Sequence, residues 1–212
     1  MARVACFDLD NTLIDRDGAF LAWAEWWAQR EGLGSEGVEW LLAHDEGGFR
    51  ARAELFAGVK ERFGLSAEVS AMVDAYDHEH PRFTWVEEPV LKGLASLRTA
   101  GWRVAVVTNG GSVQQSLKLE HTGIGAAVDY CCISDAVGVR KPDARIFKIA
   151  AAQTGATLAG GWMVGDHPAY DIAGGIAAGL STVLIGDHHP SGATPTHHFA
   201  SVLQAFPVVL AS

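Results

Sequence analysis

Five short apolar or β-branched runs, Arg3 to Phe7, Arg103 to Val107, Val128 to Ile133, Trp162 to Val164 and Thr182 to Ile185, alternate along the chain with stretches of helical pattern. Alternating strand and helix implies a parallel sheet joined by right-handed crossovers and covered by helices on both faces. The expected fold class is therefore α/β, a doubly wound, Rossmann-like sheet in three layers. One crossover breaks the pattern: the first run ends at Phe7 and the second waits until Arg103, far beyond the dozen or so residues a crossover needs. The spacing predicts an insertion, with residues 1–15 and 86–212 forming the core and residues 16–85 an inserted helical cap.

The insertion reads as helices. Ala19 to Arg30 carries Phe20, Trp23, Trp26 and Trp27 at three- and four-residue spacing, and Gly32 and Gly34 end it. Ser35 to His44, Ala51 to Phe63 and Ala67 to Tyr76 follow, the last two separated by Gly64-Leu65-Ser66. The Trp-rich face, with Trp40 and Phe56, is expected to pack as core rather than stack on a ligand. The chain returns through Glu87-Glu88-Pro89 into an amphipathic helix from Val90 to Ala100.

At 212 residues and 49% hydrophobic content the chain can bury a substantial core without staples. A formal net charge of −9 argues against nucleic-acid or anionic-membrane partners, which call for clustered Lys and Arg. No stretch approaches the ~18 apolar residues of a membrane span, and Asp8 arrives too early for a signal-peptide core. A cytoplasmic location is expected. Three cysteines lack metal-ligand spacing and read as buried thiols; the neighbours Cys131 and Cys132 should face opposite sides of a strand.

Each core strand ends in a polar signature. The first runs Val4-Ala5-Cys6-Phe7-Asp8-Leu9-Asp10-Asn11-Thr12-Leu13, delivering two acids to the carboxyl edge of the sheet, where open α/β folds build their sites. Carboxylates two residues apart repel unless one is protonated or a cation lies between them. The second signature, Thr108-Asn109-Gly110-Gly111-Ser112, offers a hydroxyl and open backbone N–H groups leading into a helix, which suits a phosphate and equally an ordinary strand-to-helix turn. In Gly138-Val139-Arg140-Lys141-Pro142-Asp143, Pro142 is expected at the first position of a helix over Ala144 to Gln153. Either Lys141 or Arg140 could then face inward to neutralise a carboxylate or a phosphoryl group. The last signature, Gly165-Asp166-His167-Pro168-Ala169-Tyr170-Asp171, adds a second acidic pair, with Asp171 also able to cap the helix behind it. Four acids aimed at one edge call for a hard divalent cation, and oxygen ligands favour Mg²⁺.

With Asp8-x-Asp10-x-Thr12, Thr108-Asn109-Gly110, Lys141-Pro142-Asp143 and Gly165-Asp166 with Asp171 in order, each behind a strand, the chain resembles the haloacid dehalogenase-like hydrolases. The likeness is to the phosphatase branch with a helical cap after the first strand, and it covers essentially the whole chain. The resemblance implies a Mg²⁺-dependent phosphomonoesterase in which Asp8 attacks phosphorus and Asp10 serves as acid and then base. It further implies that Asp8, the Asp10 backbone carbonyl and Asp166 hold the metal with Asp171 nearby, and that Thr108, Lys141 and the backbone N–H groups of Leu9 and Asn109 hold the phosphoryl oxygens. Dehalogenases of this superfamily lack the second aspartate and the metal, so Asp10 points to phosphate.

The expected partner is a small phosphorylated metabolite, and the protein a monomer or homodimer. Arg50 and Arg52, on a loop between cap helices, are candidates for substrate specificity and equally for solvated charges. His167 departs from the small or amide residue common after the metal-binding acid, and reads as a neighbour of the site rather than a ligand. Histidines 188, 189, 197 and 198 flank a loop over residues 186–198 that carries no fixed metal geometry. Alternatives on the same fold are a phosphomutase, a phosphonate hydrolase or a 2-haloacid dehalogenase. A receiver-like signalling domain is disfavoured by the insertion, and a nicotinamide enzyme by the missing Gly-x-Gly-x-x-Gly.

Overall fold

The structure, a computed structural model, describes residues 2–187 and 192–212. It falls into two compact units, Met1–Asp15 with Trp85–Ser212, and Arg16–Thr84.

The first unit is built on a six-stranded sheet in the order β3-β2-β1-β4-β5-β6, every neighbouring pair parallel. The strands are β1 (Arg3–Phe7), β2 (Arg103–Thr108), β3 (Tyr130–Ile133), β4 (Thr157–Gly165), β5 (Ser181–Ile185) and β6 (His197–Phe199). Strands buried on both faces need no polar alternation, which is why the first five show as nearly continuous apolar runs. Alternate residues still part company. Ala5, Phe7, Val104 and Val106 enter one core, and Val4, Cys6, Ala105 and Val107 the other. Cys131 and Cys132 divide in the same way, as expected. Three of the strands differ from the sequence expectation. β3 begins at Tyr130, two residues after the expected start at Val128. β4 begins at Thr157, ahead of a register shift where Gly160 takes φ +71°, and a glycine-marked bulge of this kind leaves no apolar pattern to read. β6 was expected as part of a loop and is a three-residue edge strand.

Among the described residues, seven α-helices numbered in chain order accompany these strands: α5 (Glu88–Thr99), α6 (Ser112–His121), α7 (Ile124–Ala127), α8 (Ser134–Val137), α9 (Arg145–Thr154), α10 (Gly174–Ala177) and α11 (Ala205–Leu210), following α1 to α4 of the second unit. Leu94 and Leu97 of α5, Leu119 of α6, Ile124 of α7 and Val209 of α11 cover one face. Ile146, Phe147 and Ala150 of α9 cover the other. The chain lays β2 and β3 on one side of β1 and β4, β5 and β6 on the other, so the strand order reverses between β1 and β4. In open α/β sheets such a reversal opens a crevice beyond the carboxyl ends of the strands.

The second unit holds α1 (Arg16–Arg30), α2 (Gly34–His44), α3 (Arg52–Phe63) and α4 (Val69–Glu79). Trp23 stacks on Trp27 at 5.6 Å and meets the Tyr76 ring edge-on at 4.7 Å, around a core completed by Phe20, Leu41, Leu55, Phe56 and Met72. Trp26 leaves this face. It is 38% exposed and lies under the Arg30 guanidinium, because its position on the helical wheel falls just past the edge of the arc that α1 buries. The α3 helix ends at Gly64, whose φ of +67° favours glycine.

Candidate active site

Three strands converge on the crevice. The Asp8 N–H donates to the Val164 carbonyl, so Asp8 still belongs to the β1–β4 seam. The Leu9 carbonyl then accepts from Leu13 and Ile14, folding the chain back on itself, with Asn11 at φ +55°, a conformation asparagine tolerates. β4 ends at Gly165 and presents Asp166, and a wide π-type turn over Pro168–Ala173 carries Asp171 back over the strand end. Gly165 is what permits this approach: a Cβ there would lie 2.3 Å from the Asp171 Cγ.

Carboxylate oxygens of Asp8, Asp166 and Asp171 all lie within 4.8 Å of one another. Among them sits the buried Lys141, whose Nζ donates to Asp8 Oδ1 and to Asp171 Oδ1, each at 2.6 Å. Burial pushes the Asp8 carboxyl up to about 7, opposed by the Lys141 charge and aided by repulsion from Asp171. Asp166 is pushed up to about 8 by burial and then by repulsion from Asp8 and Asp171. Burial alone would lower Lys141, but the charges of Asp171 and Asp8 reverse this and raise it. One ammonium thus faces three acids, and the surplus negative charge on hard oxygen donors fits a divalent cation of the Mg²⁺ or Ca²⁺ kind.

Lys141 is the inward residue of its pair, with Arg140 exposed. Pro142 does not open a helix, contrary to expectation. The Lys141–Pro142 peptide is cis, and α9 starts at Arg145, whose N–H is accepted by the Asp143 carboxylate. The Lys141 loop is held instead by Asn109, whose side chain accepts from the Lys141 N–H at 2.9 Å and donates to its carbonyl at 3.0 Å. Two of the open N–H groups expected after β2 are taken. Gly110 N–H donates to Ser134 Oγ and Ser112 N–H to the Asp135 carboxylate, because α8 follows β3 directly and brings these side chains alongside the start of α6.

Asp10 is the main departure from the expected four-acid cluster. Its side chain does not join the other three; Lys118 Nζ donates to both its oxygens at 2.8 and 3.0 Å, and Gln115 Nε2 donates to Oδ2 at 3.0 Å. The same Gln115 nitrogen donates to the Thr108 hydroxyl at 2.6 Å. Sequence reasoning missed Gln115 and Lys118. The signal was a polar pair at i and i+3 on the side of α6 that buries Leu119, where apolar residues are the rule. Asp171 does not cap a helix: that role falls to His167, whose Nδ1 accepts from the N–H groups of Ala169 and Tyr170, while Asp171 Oδ2 accepts from the His167 N–H. A ring nitrogen used in this way carries no proton, so in the neutral ring the proton is on Nε2.

In the helical unit, Arg52 Nη1 donates to Asp45 Oδ1 at 2.6 Å, and the buried Arg16 guanidinium grips both oxygens of Asp45. Arg52, at the start of α3, therefore ties the helix to the loop that carries Asp45. The Arg50 side chain makes no hydrogen bond or ion pair among the described residues, and is half-buried. His198 Nε2 lies 2.6 Å from the Gly186 carbonyl and His197 stacks between Trp162 and Phe199, so neither is arranged around a metal; His188 and His189 lie outside the described residues. No helix among the described residues is long and apolar enough to cross a membrane.

A family profile described as haloacid dehalogenase-like hydrolase matches residues 5–185. A phosphoserine phosphatase of Thermus thermophilus is 30% identical over 180 residues, covering 80% of this chain and 70% of its own. The pyrimidine 5'-nucleotidase YjjG of Escherichia coli is 40% identical over 119 residues, and the matched stretch spans 53% of each protein. Among solved structures, a 2-haloacid dehalogenase from Pseudomonas syringae superposes with a TM-score of 0.68 at 25% identity, covering 100% of this chain and 99% of that one. Phosphatases and a dehalogenase thus share the scaffold. The match to nearly the whole of the sheet-forming sequence makes this chain a member of the haloacid dehalogenase-like hydrolases.

Proposed function

We propose that the protein is a Mg²⁺-dependent phosphomonoesterase acting on a small phosphorylated metabolite through an aspartyl-phosphate. The observation that carries the reading is the division of labour between two aspartates on one loop: Asp8 lies against a buried ammonium among acids, and Asp10 is held apart by its own donors. Asp8, Asp166 and the Asp10 backbone carbonyl would hold the metal, with Asp171 beside them; when bound it neutralises charge on the carboxylates and on the phosphoryl group.

An Asp8 carboxylate oxygen forms a bond to phosphorus as the ester P–O bond breaks, and the departing oxygen takes a proton from the Asp10 carboxyl. Asp10, now a carboxylate, accepts a proton from the water that attacks the same phosphorus. The bond to Asp8 breaks, releasing inorganic phosphate. Proton transfer of this kind contributes typically ~10²–10⁴-fold. Lys141 keeps its charge at the nucleophile throughout and offsets the charge that builds on the equatorial oxygens. Thr108 accepts from Gln115 and so keeps its own O–H to donate to a phosphoryl oxygen. The helical unit would act as the cap that selects the substrate, with Arg50 the better specificity candidate of the two arginines.

The Thermus phosphatase and the nucleotidase support phosphate ester chemistry, whereas the Pseudomonas structure keeps halide displacement as the rival. Halide leaves without a proton, so that chemistry has no use for an Asp10 that two side chains hold in place. Asp8→Asn should abolish Mg²⁺-dependent hydrolysis of a generic phosphate ester while the circular dichroism spectrum is retained. Undiminished hydrolysis would remove Asp8 as nucleophile. Halide release from a 2-haloacid in the presence of chelator would favour the rival.

A further inference from the structure

We propose that Lys118 and Gln115 are positioning residues that clamp the Asp10 carboxylate in the orientation needed for its proton transfers, an inference that rests on the acid–base reading of Asp10 given above. Asp10 lies on a loop with a side chain 27% exposed, and a short carboxylate in such a place would ordinarily move among rotamers. Here both of its oxygens are engaged. Lys118 reaches them at 2.8 and 3.0 Å, and Gln115 adds a donor to Oδ2 at 3.0 Å.

The clamp is built, not incidental, on three counts. Residues 115 and 118 stand one turn apart on α6, so both donors project from one rigid face. Lys118 is only 2% exposed, and an ammonium so deep is retained only against a charged or strongly polar partner. Gln115 has its own accommodation: a Cβ on Gly110 would lie 2.8 Å from the Gln115 Cγ, so the glycine of the Thr108-Asn109-Gly110 turn leaves room for this side chain.

The orientation of the Gln115 amide follows from chemistry. Asp10 as a carboxylate only accepts, so the amide must turn its nitrogen toward it. That nitrogen has a second hydrogen, and it goes to the Thr108 hydroxyl at 2.6 Å. One side chain thereby sets the proton carrier and the phosphate-facing hydroxyl at a fixed separation. Both groups must meet the same phosphoryl ester, one at the leaving oxygen and one at an equatorial oxygen. Misplacement of a reacting group by about 1 Å can cost about 10²-fold in rate.

The test compares two esters that differ in their need for an acid. An aryl phosphate such as p-nitrophenyl phosphate expels a leaving group that needs no proton, whereas an alkyl phosphate depends on one. Lys118→Met keeps the length and bulk of the side chain and removes its charge. In the Mg²⁺-loaded protein it should lower kcat/KM for the fastest alkyl phosphate of a panel by about 10²-fold and for p-nitrophenyl phosphate by less than about 3-fold. Lys118→Arg should recover most of the loss, and Gln115→Leu should show the same bias if Lys118→Met folds poorly. A crystal structure of Lys118→Met should show Asp10 in a different rotamer.

Equal losses on both esters, no loss on either, or an unmoved Asp10 in that crystal structure would each overturn the clamp while leaving the phosphatase reading intact. Wild-type protein that hydrolyses neither ester with Mg²⁺ overturns that reading, and the clamp with it.

Discussion

Binding of Mg²⁺ to the metal-free protein should release protons, and the number should depend on pH in a way fixed by the acid cluster. A carboxylate must be ionised to ligate a cation, so each acid still protonated before binding gives up its proton on binding. Asp8 and Asp166 are raised by burial, and then by neighbouring acids, to about 7 and about 8. At pH ~6.5 a group titrating at about 7 is roughly three-quarters protonated and one at about 8 is almost wholly so, which gives release of about 1.7 protons per ion. At pH ~9 both are ionised and the release should be close to zero. The sign follows: apparent affinity for Mg²⁺ rises with pH through the window from about 6.5 to 8.5 and then levels off. Isothermal titration in two buffers of different ionisation enthalpy counts the protons directly, and Asp166→Asn should remove the larger part of the release. Mg²⁺ binding at pH ~6.5 without proton exchange would refute the claim that burial and neighbouring acids hold these carboxyls protonated.

Gly165→Ala places a Cβ 2.3 Å from the Asp171 Cγ, so Asp171 must leave its bonds to Lys141 and to the His167 N–H; Mg²⁺-dependent turnover of a generic ester should fall by about 10-fold or more, and full activity would count against that packing. Asp45→Ala removes both oxygens that the buried Arg16 guanidinium grips, leaving it the exposed Asp17 carboxylate, and should cost about 1.5–3 kcal/mol of the helical unit's stability in a denaturant titration. Burial pushes the Asp45 carboxyl up, but hydrogen bonds and charge from Arg16, then Arg52, hold it below the usual carboxylate range. Its contribution is therefore complete above about pH 4 and lost as pH falls through the depressed folded value, so wild-type stability should drop on acidification more steeply than that of Asp45→Ala.

Much of the sheet was legible because strands covered on both faces must be apolar throughout, and β1, β2 and β5 carry that signature within a residue of their ends. β4 was read at a third of its length, since Leu158-Ala159-Gly160-Gly161 bulges where a pattern would have been needed. β6 was missed because three residues with two histidines offer no periodicity at all. In the site, Asp8 and Asp166 could be found from strand ends alone, whereas the residues left Lys141 level with Arg140 and only the resemblance singled it out. What the strand ends could not reveal was which groups each loop spends on another loop. Ser134 and Asp135 consume donors at the start of α6, Asn109 is used on the Lys141 backbone, and Asp10 is drawn to α6. These pairings join residues more than twenty positions apart, and a single chain gives no local trace of them.

The two hydrogen bonds between the Asn109 side chain and the Lys141 backbone have a dynamic corollary. Lys141 reaches both Asp8 and Asp171, and Asn109 continues directly from Thr108, so three strand-end loops are spliced through one residue. None of them can fray alone: an excursion of the Lys141 loop strips the ammonium from both acids at once and frees the end of β2. Amide exchange at residues 109, 141 and 171 should accordingly slow and quicken together, as a single cooperative patch, while the surface turn near Gly138 exchanges on its own schedule.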